Sequence, residues 1–331
     1  MSLAAIRDDL SARGARFIAP PVLQPAGLYL ELVGEDIRRR VFMIEAEDGE
    51  DLCLRPDMTV PACRMALADG LTPSVLAYEG LVFRRQNDSS GKETEFVQIG
   101  AEWCGLSDDA AEVDAQVLQA ALTAVRRFGV EPVLRLGDVA LFVATAAACG
   151  WPAPWLERLA RGFQRPDGAA RVIAEAGDDR ADETPAVALG FAGLDPDAAQ
   201  AKLSAALAQA GVAMVGARSS ADIAARLTAK ARAAHIDRPD QQARDLFAKA
   251  LAIAAEPLAA LDQLSELAER APAPQAAQAA LAQARRRLTL LGEALPCDSR
   301  FSIGFGRGLA YYDGAIFELE CPALGGRASL G

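Results

Sequence analysis

The stretch Tyr78 to Glu102, YEGLVFRRQNDSSGKETEFVQIGAE, places its polar residues where strand alternation turns them to one shared side. Residues 74–85 and 93–103 are apolar-rich runs flanking the loop Asn87-Asp88-Ser89-Ser90-Gly91, which reads as a β-hairpin. Arg84 and Gln86 share parity on the first strand, and Gln98, Gly100 and Glu102 share it on the second. Such a row is costly on a buried face, because desolvated charges and amides need partners. Two arrangements satisfy it: a bound polar ligand, or a surface sheet whose polar face is wet. Nucleophilic chemistry fits poorly. The chain has a single histidine, His235, so every Ser-His or Cys-His scheme would pass through a residue whose helical surroundings suit a surface or structural role.

The elements around this hairpin can be read from periodicity and punctuation. A helix over residues 2–14 leads into an extended run at 17–22, and residues 41–45 and 50–55 form a second hairpin around Asp48-Gly49. A helix starts near Asp57, and a long amphipathic one covers 108–128 with Gly129 beyond its end. A short strand at 133–136 precedes an Ala-rich helix closed by Gly150. This order predicts an α+β fold, an antiparallel sheet flanked by helices, and not a doubly wound parallel sheet. Residues 1–150 hold the first part of that core. From 151 to 295 helices follow one another, opened or broken at Asp195-Pro196, Gly211, Arg238-Pro239, Glu256-Pro257 and Pro272 to Pro274, with room for a strand at 212–217. This is a largely helical insertion, and 296–331 returns to the core sheet.

Composition narrows the classes of function. The 331 residues carry a net charge of -11, which argues against a large nucleic-acid surface, since phosphate binding draws on clustered Lys and Arg. The runs Arg38-Arg39-Arg40 and Arg285-Arg286-Arg287 read as solvated faces. Half of the chain is hydrophobic, yet no apolar stretch has membrane-spanning length and the N-terminus lacks a signal-peptide pattern, so a soluble cytoplasmic protein is expected. The six cysteines form no CxxC pair; buried free thiols are expected, with no disulfide framework, no metal site and no cofactor. Gly304-x-Gly306-x-Gly308 suits a bulge or tight strand contact better than a phosphate cradle, and Tyr311 and Tyr312 on residue type alone suit a strand.

Four segments in order resemble the histidyl branch of the class II aminoacyl-tRNA synthetases. Phe83-Arg84-Arg85-Gln86 followed by Phe96-Val97-Gln98-Ile99-Gly100-Ala101-Glu102 is similar to that family's motif 2. Leu54-Arg55-Pro56-Asp57-Met58-Thr59 resembles its LRPE-x-T element, Arg307-Gly308-Leu309-Ala310-Tyr311-Tyr312 its RGLDYY signature, and Gly325-Gly326-Arg327 its GGRYD. The resemblance implies a site holding an amino acid on an antiparallel sheet. Asp57, Thr59 and Gln98 then match residues that hold a histidine ammonium group, and Glu102 and Tyr312 those that hydrogen-bond the imidazole. Arg307, carried with Tyr311, matches an arginine near the substrate carboxylate. Arg84 matches the arginine that contacts an α-phosphate, a task suited to a guanidinium fork. Relatives dimerise through a region matching residues 20–32.

The departures from this pattern point to one branch. Gln86 stands where a glutamate accepts from adenine, the loop basic residues are largely replaced by Asn87, Asp88, Ser89 and Ser90, Ala310 replaces an aspartate, and Ala328-Ser329 replaces Tyr-Asp. Within the 331 residues no motif 3 is recognised, and no anticodon-binding domain is expected. The histidine side is kept while the ATP and tRNA sides are degraded, which resembles the regulatory subunits of ATP phosphoribosyltransferase, paralogues of histidyl-tRNA synthetase. That family implies a non-catalytic partner of a short-form catalytic subunit, a homodimer within a hetero-oligomer, with histidine as effector. A degenerate synthetase that still activates histidine is the alternative that Arg84 and Arg307 support, and a stand-alone amino-acid-binding module is a third. With Gln86 in the adenine position, histidine-dependent ATP–pyrophosphate exchange by the purified protein is expected to be at background; robust exchange would restore the synthetase reading.

Overall fold

A computed structural model describes residues 3–33, 35–45, 49, 51–86, 91–105, 109–163, 168–177, 190–211, 219–233, 238–306, 312–322 and 329–330. Among these residues the strands form three hydrogen-bonded ladders. In the first, β5 (Ser74–Phe83) and β6 (Glu95–Cys104) pair antiparallel along their length, with Tyr78 opposite Gly100 and Gly80 opposite Gln98. β1 (Arg16–Phe17) adds to β5 in parallel. The second ladder sets β4 (Asp51–Leu54) between β2 (Leu23–Pro25) and β3 (Met43–Glu45), all antiparallel. In the third, β7 (Val133–Asp138) pairs in parallel with β8 (Ser299–Phe301) and antiparallel with β9 (Ala315–Glu320), which carries β10 (Ser329–Leu330).

The fold is α+β and mainly antiparallel, as the element order implies. The two parallel pairings join segments far apart in sequence, as parallel neighbours must be. The extended run at 17–22 is not one strand. Ile18 N–H still donates to Ala77 O at 2.9 Å and Val22 O accepts from Arg55 N–H at 3.0 Å, but Pro20 and Pro21 bring no N–H to a ladder between them.

Both faces of the central hairpin carry apolar packing, while the polar row itself, Arg84, Gln86, Gln98 and Glu102, stays partly exposed. On one side, α1 (Leu3–Ala12) lays Ile6 and Leu10 against Ala77, Ile99, Ala101 and Trp103, with Ala124 of α4 (Ala110–Arg126) beside them. On the other, Met58 and Ala62 of the segment opening α3 (Thr59–Ala68) pack on Tyr78, Val82 and Phe96. Only toward the loop do the register partners Leu81 and Val97 reach solvent.

After β7 the chain enters α5 (Val139–Ala148) directly, then α6 (Ala153–Phe163), α7 (Gly168–Gly177), α8 (Pro196–Ala210), α9 (Ser220–Ala233), α10 (Gln241–Leu251), α11 (Pro257–Glu269) and α12 (Gln275–Leu291). The expected punctuation acts as caps. Asp195 accepts from Ala198 N–H at 2.8 Å with Pro196 in the first turn, and Gly211 closes α8 at φ 65°. Glu256 caps α11 through Ala259 N–H at 3.0 Å, whereas α10 is opened by Asp240, two residues past Arg238. The strand expected at 212–217 and His235 lie outside the described residues.

These helices are tied to β7 through aromatic packing. Phe142 of α5 is fully buried between Phe163 and Phe247, at ring-centroid distances of 4.5 and 5.3 Å. Each such side chain contributes about 1.5–3 kcal/mol by leaving water. The chain after β8 then crosses β7 at Gly137, where a Cβ would lie 2.1 Å from Phe305 O; only a residue without a side chain fits. Gly306 likewise faces the Phe163 ring at 2.5 Å, the tight contact expected of the glycine pattern, while Gly304 has ordinary space and Gly308 lies outside the described residues.

Two expectations need correction. Cys297 is exposed rather than buried, and Cys63 and Cys104 are partly exposed. Arg38 to Arg40 are solvated, as are Arg285 and Arg286, but Arg287 is buried. Its Nε donates to Asp114 at 2.9 Å and its Nη1 to Asp138 at 3.0 Å, while the other Asp138 oxygen caps α5 through Leu141 N–H at 2.8 Å. α12 is thereby bound to α4, β7 and α5 at one point. Removing the cation leaves a buried carboxylate unpaired, so Arg287→Ala is expected to destabilise the protein by about 3–5 kcal/mol in urea unfolding, against less than about 1 kcal/mol for the exposed Arg285→Ala.

Candidate functional site

The polar row of β6 lies under the start of α3, and the contacts between them build the site. Arg55 positions the approach: its Nε donates to Leu81 O at 2.8 Å and its Nη1 to Pro20 O. The next four residues then run along the sheet face. Pro56 O accepts from Arg84 Nε at 2.7 Å, Met58 N–H donates to Gln98 Oε1 at 3.1 Å, and Asp57 Oδ1 accepts from Val60 N–H at 3.1 Å. The Arg84 guanidinium stands over the Phe96 ring at 5.1 Å and acts on the Asp57 carboxylate.

Glu102 sits farther along the same row. Tyr78 Oη donates to its Oε1 at 2.7 Å, and the Thr59 hydroxyl lies close enough to act on both groups. Gly100 makes this possible, since a Cβ there would lie 2.8 Å from Tyr78 Oη and 2.9 Å from Cε2 of its ring. Tyr78 is the member of this cluster that sequence reading missed; its signal is a glycine facing an aromatic across the register.

Among the described residues, the cation acting on the two carboxylates is Arg84, at Asp57. Burial pushes the Glu102 carboxyl above the usual carboxylate range, opposed by the hydrogen bonds from Tyr78 and Thr59 and reinforced by Asp57. Burial also raises Asp57, opposed by Val60 N–H, Arg84 and Thr59 N–H. Among the described residues, no cation is a cause of the Glu102 shift. Tyr29, almost fully buried, lies close enough to Asp57 to feel its charge, and its hydroxyl has no partner among the described residues. Two neighbouring, partly exposed carboxylates that accept hydrogen bonds suit a ligand bearing an ammonium group or a protonated ring nitrogen.

The structure thus brings together Asp57, Thr59, Gln98 and Glu102, with Arg84 at their edge. Tyr312 lies partly buried against the main core, three residues before β9 and on a different ladder. Arg307, Tyr311, the Asn87 to Ser90 loop and Gly325 to Arg327 lie outside the described residues. No group of three or more His, Cys, Asp and Glu among the described residues could hold a metal ion, and no described helix is long and apolar enough to cross a membrane.

Known proteins place this geometry. The histidyl-tRNA synthetase family model matches residues 2–210. A solved structure described as an ATP phosphoribosyltransferase regulatory subunit/histidyl-tRNA synthetase from Bacillus halodurans superposes with a TM-score of 0.60 at 20% identity, over 98% of this chain and 68% of that one. The histidyl-tRNA synthetase of Nostoc sp. PCC 7120 does so at 0.59 and 16% identity, over 99% and 63%. Fold and motifs together define a class II aminoacyl-tRNA synthetase-like protein of the histidyl branch. Relatives named ATP phosphoribosyltransferase regulatory subunit, from Brucella anthropi and Brucella ovis, are 34% and 35% identical over 97% and 96% of this chain and 85% and 84% of their own. The chain belongs to the ATP phosphoribosyltransferase regulatory subunit family.

The Glu102 shift fixes the sign of a pH effect. A carboxyl raised in the folded state contributes stability that is present below its unfolded pKa and lost as pH rises through the folded one. Glu102→Gln keeps an acceptor oxygen without the charge. Without ligand, its stability relative to the parent should therefore rise as the pH is raised through and above the usual carboxylate range in urea unfolding. A parent–variant difference that does not change with pH would mean that Glu102 carries no buried-charge penalty.

Proposed function

We propose that this chain is a regulatory subunit without catalysis of its own, required by a short-form ATP phosphoribosyltransferase catalytic subunit in the first step of histidine biosynthesis, and that free histidine is its effector. The observation carrying the effector is the pair of half-buried carboxylates, Asp57 and Glu102, held by a backbone amide and a phenolic hydroxyl. A histidine ammonium group on Asp57 and Gln98, with its imidazole at Glu102 and Tyr78, brings the positive charge this pocket needs. Thr59 orients both ends, Arg307, Tyr311 and Tyr312 close the site from the signature segment, and Arg84 keeps a phosphate-contact position that the regulatory role does not use. In this reading residues 1–150 and 296–331 form the synthetase-like core and 151–295 the helical insertion. The subunit works in the cytoplasm as a homodimer within a hetero-oligomer.

Histidine regulates only if it binds the inhibited and active assemblies with different free energy; about 1–3 kcal/mol of coupling shifts affinity roughly 5- to 150-fold. Titrating this protein into a short-form catalytic subunit should raise phosphoribosyl-ATP formation to a plateau, and histidine should lower it. Glu102→Ala should weaken histidine binding and inhibition by about 5- to 150-fold, with the circular dichroism spectrum unchanged. Flat rates across the titration would sink the subunit assignment. Restored rates with parental histidine response in the variant would instead sink the pocket.

A further inference from the structure

Glu102 has two carboxylate oxygens, and the fold has already engaged one of them. Tyr78 Oη donates to Oε1 at 2.7 Å. Oε2, with the Thr59 hydroxyl close by, is left for whatever enters the pocket. The donor is held in place. Tyr78 is 3% exposed and packs with Met58, Ala62 and Val82. Its ring crosses from β5 over Gly100, where a Cβ would stand 2.8 Å from Oη and 3.0 Å from Cζ, so the β6 backbone lies close beneath the phenol. Burial, then the Glu102 charge, then the hydrogen bond itself hold that phenol above its ordinary range, and it stays a donor.

We propose that Tyr78 is a specificity-determining positioning residue: by holding Oε1 it makes Glu102 a one-point acceptor, which favours an imidazole N–H over a guanidinium-like pair of donors. This rests on the reading above, in which free histidine places its imidazole at Glu102.

A planar pair of parallel N–H groups binds a carboxylate most strongly when each meets its own oxygen. With Oε1 engaged, such a group makes one good bond and enters the pocket with its second donor unmatched. An imidazole turns a single N–H toward Glu102 and loses nothing. Without the phenol hydroxyl both effects reverse: the donor pair finds two oxygens, and an imidazole leaves one of them unmet. The two effects act in the same direction on the ratio of affinities. A loosened pocket, by contrast, weakens both ligands alike.

Tyr78→Phe keeps the ring over Gly100 and removes only the hydroxyl. The probes are histidine and 2-aminohistidine, which carries a guanidinium-like donor pair on histidine's own ring, each titrated by calorimetry into the full chain at one fixed pH. The variant should lower the ratio of histidine to 2-aminohistidine affinity by about tenfold or more relative to the parent, with an unchanged circular dichroism spectrum. Adding Glu102→Gln should cancel that change, because an amide offers one acceptor oxygen. An unchanged ratio in Tyr78→Phe, with both ligands weakened equally, would overturn the role of Tyr78 and leave the histidine pocket standing. So would a change that persists with Gln at 102. A parent that binds neither probe would overturn the pocket and this proposal together.

Discussion

The Arg55 guanidinium occupies the volume above Gly80, where a Cβ would sit 2.6 Å from its Nη2. Its other nitrogens hold Leu81 O and Pro20 O, its backbone N–H reaches Val22 O, and its carbonyl accepts from Phe83 N–H. One residue thereby joins the chain before β2, the small β2–β4–β3 ladder and the central hairpin. Among the described residues its charge meets carbonyl dipoles and no carboxylate, and burial lowers its pKa. The path of Pro56 to Thr59 across the hairpin face follows from this anchor, and so does the meeting of Asp57 and Glu102.

A pocket built in this way is stiff in its frame and unbalanced in its charge. Neutral donors meet both carboxylates, and among the described residues Arg84 acts on Asp57 while no cation acts on Glu102. Across the molecule the same economy recurs at Arg287, where one cation serves two carboxylates and a helix cap. There the charge is supplied internally and the site is closed. The contrast separates a structural cluster from one with capacity left over.

What could be read in the sequence depended on the range of the interaction. The hairpin, its parity and the caps at Asp195 and Glu256 are local, and residues adjacent in the chain fix them. The meeting of Asp57 and Thr59 with Gln98 and Glu102 came through family resemblance, because no local rule brings α3 over β6. Tyr78 escaped because its role depends on register: Gly100 faces it only if the intervening loop has one particular geometry. Arg287 escaped for a similar reason. Three consecutive arginines look alike in sequence, and only the angle of α12 against α4 and β7 decides which one turns inward to Asp114 and Asp138. Arg307 and Tyr311 stay where resemblance puts them.

Tyr78 and Gly100 share one volume: the ring of the first lies where the side chain of the second would begin. Neither position is free to vary by itself, because a side chain at 100 expels the tyrosine and a smaller residue at 78 opens a cavity beside Glu102. Their substitution effects are therefore non-additive. Lineages that refashion this pocket must exchange the pair together or pass through a poorly packed intermediate, so descent should preserve the two sites as a single inherited unit.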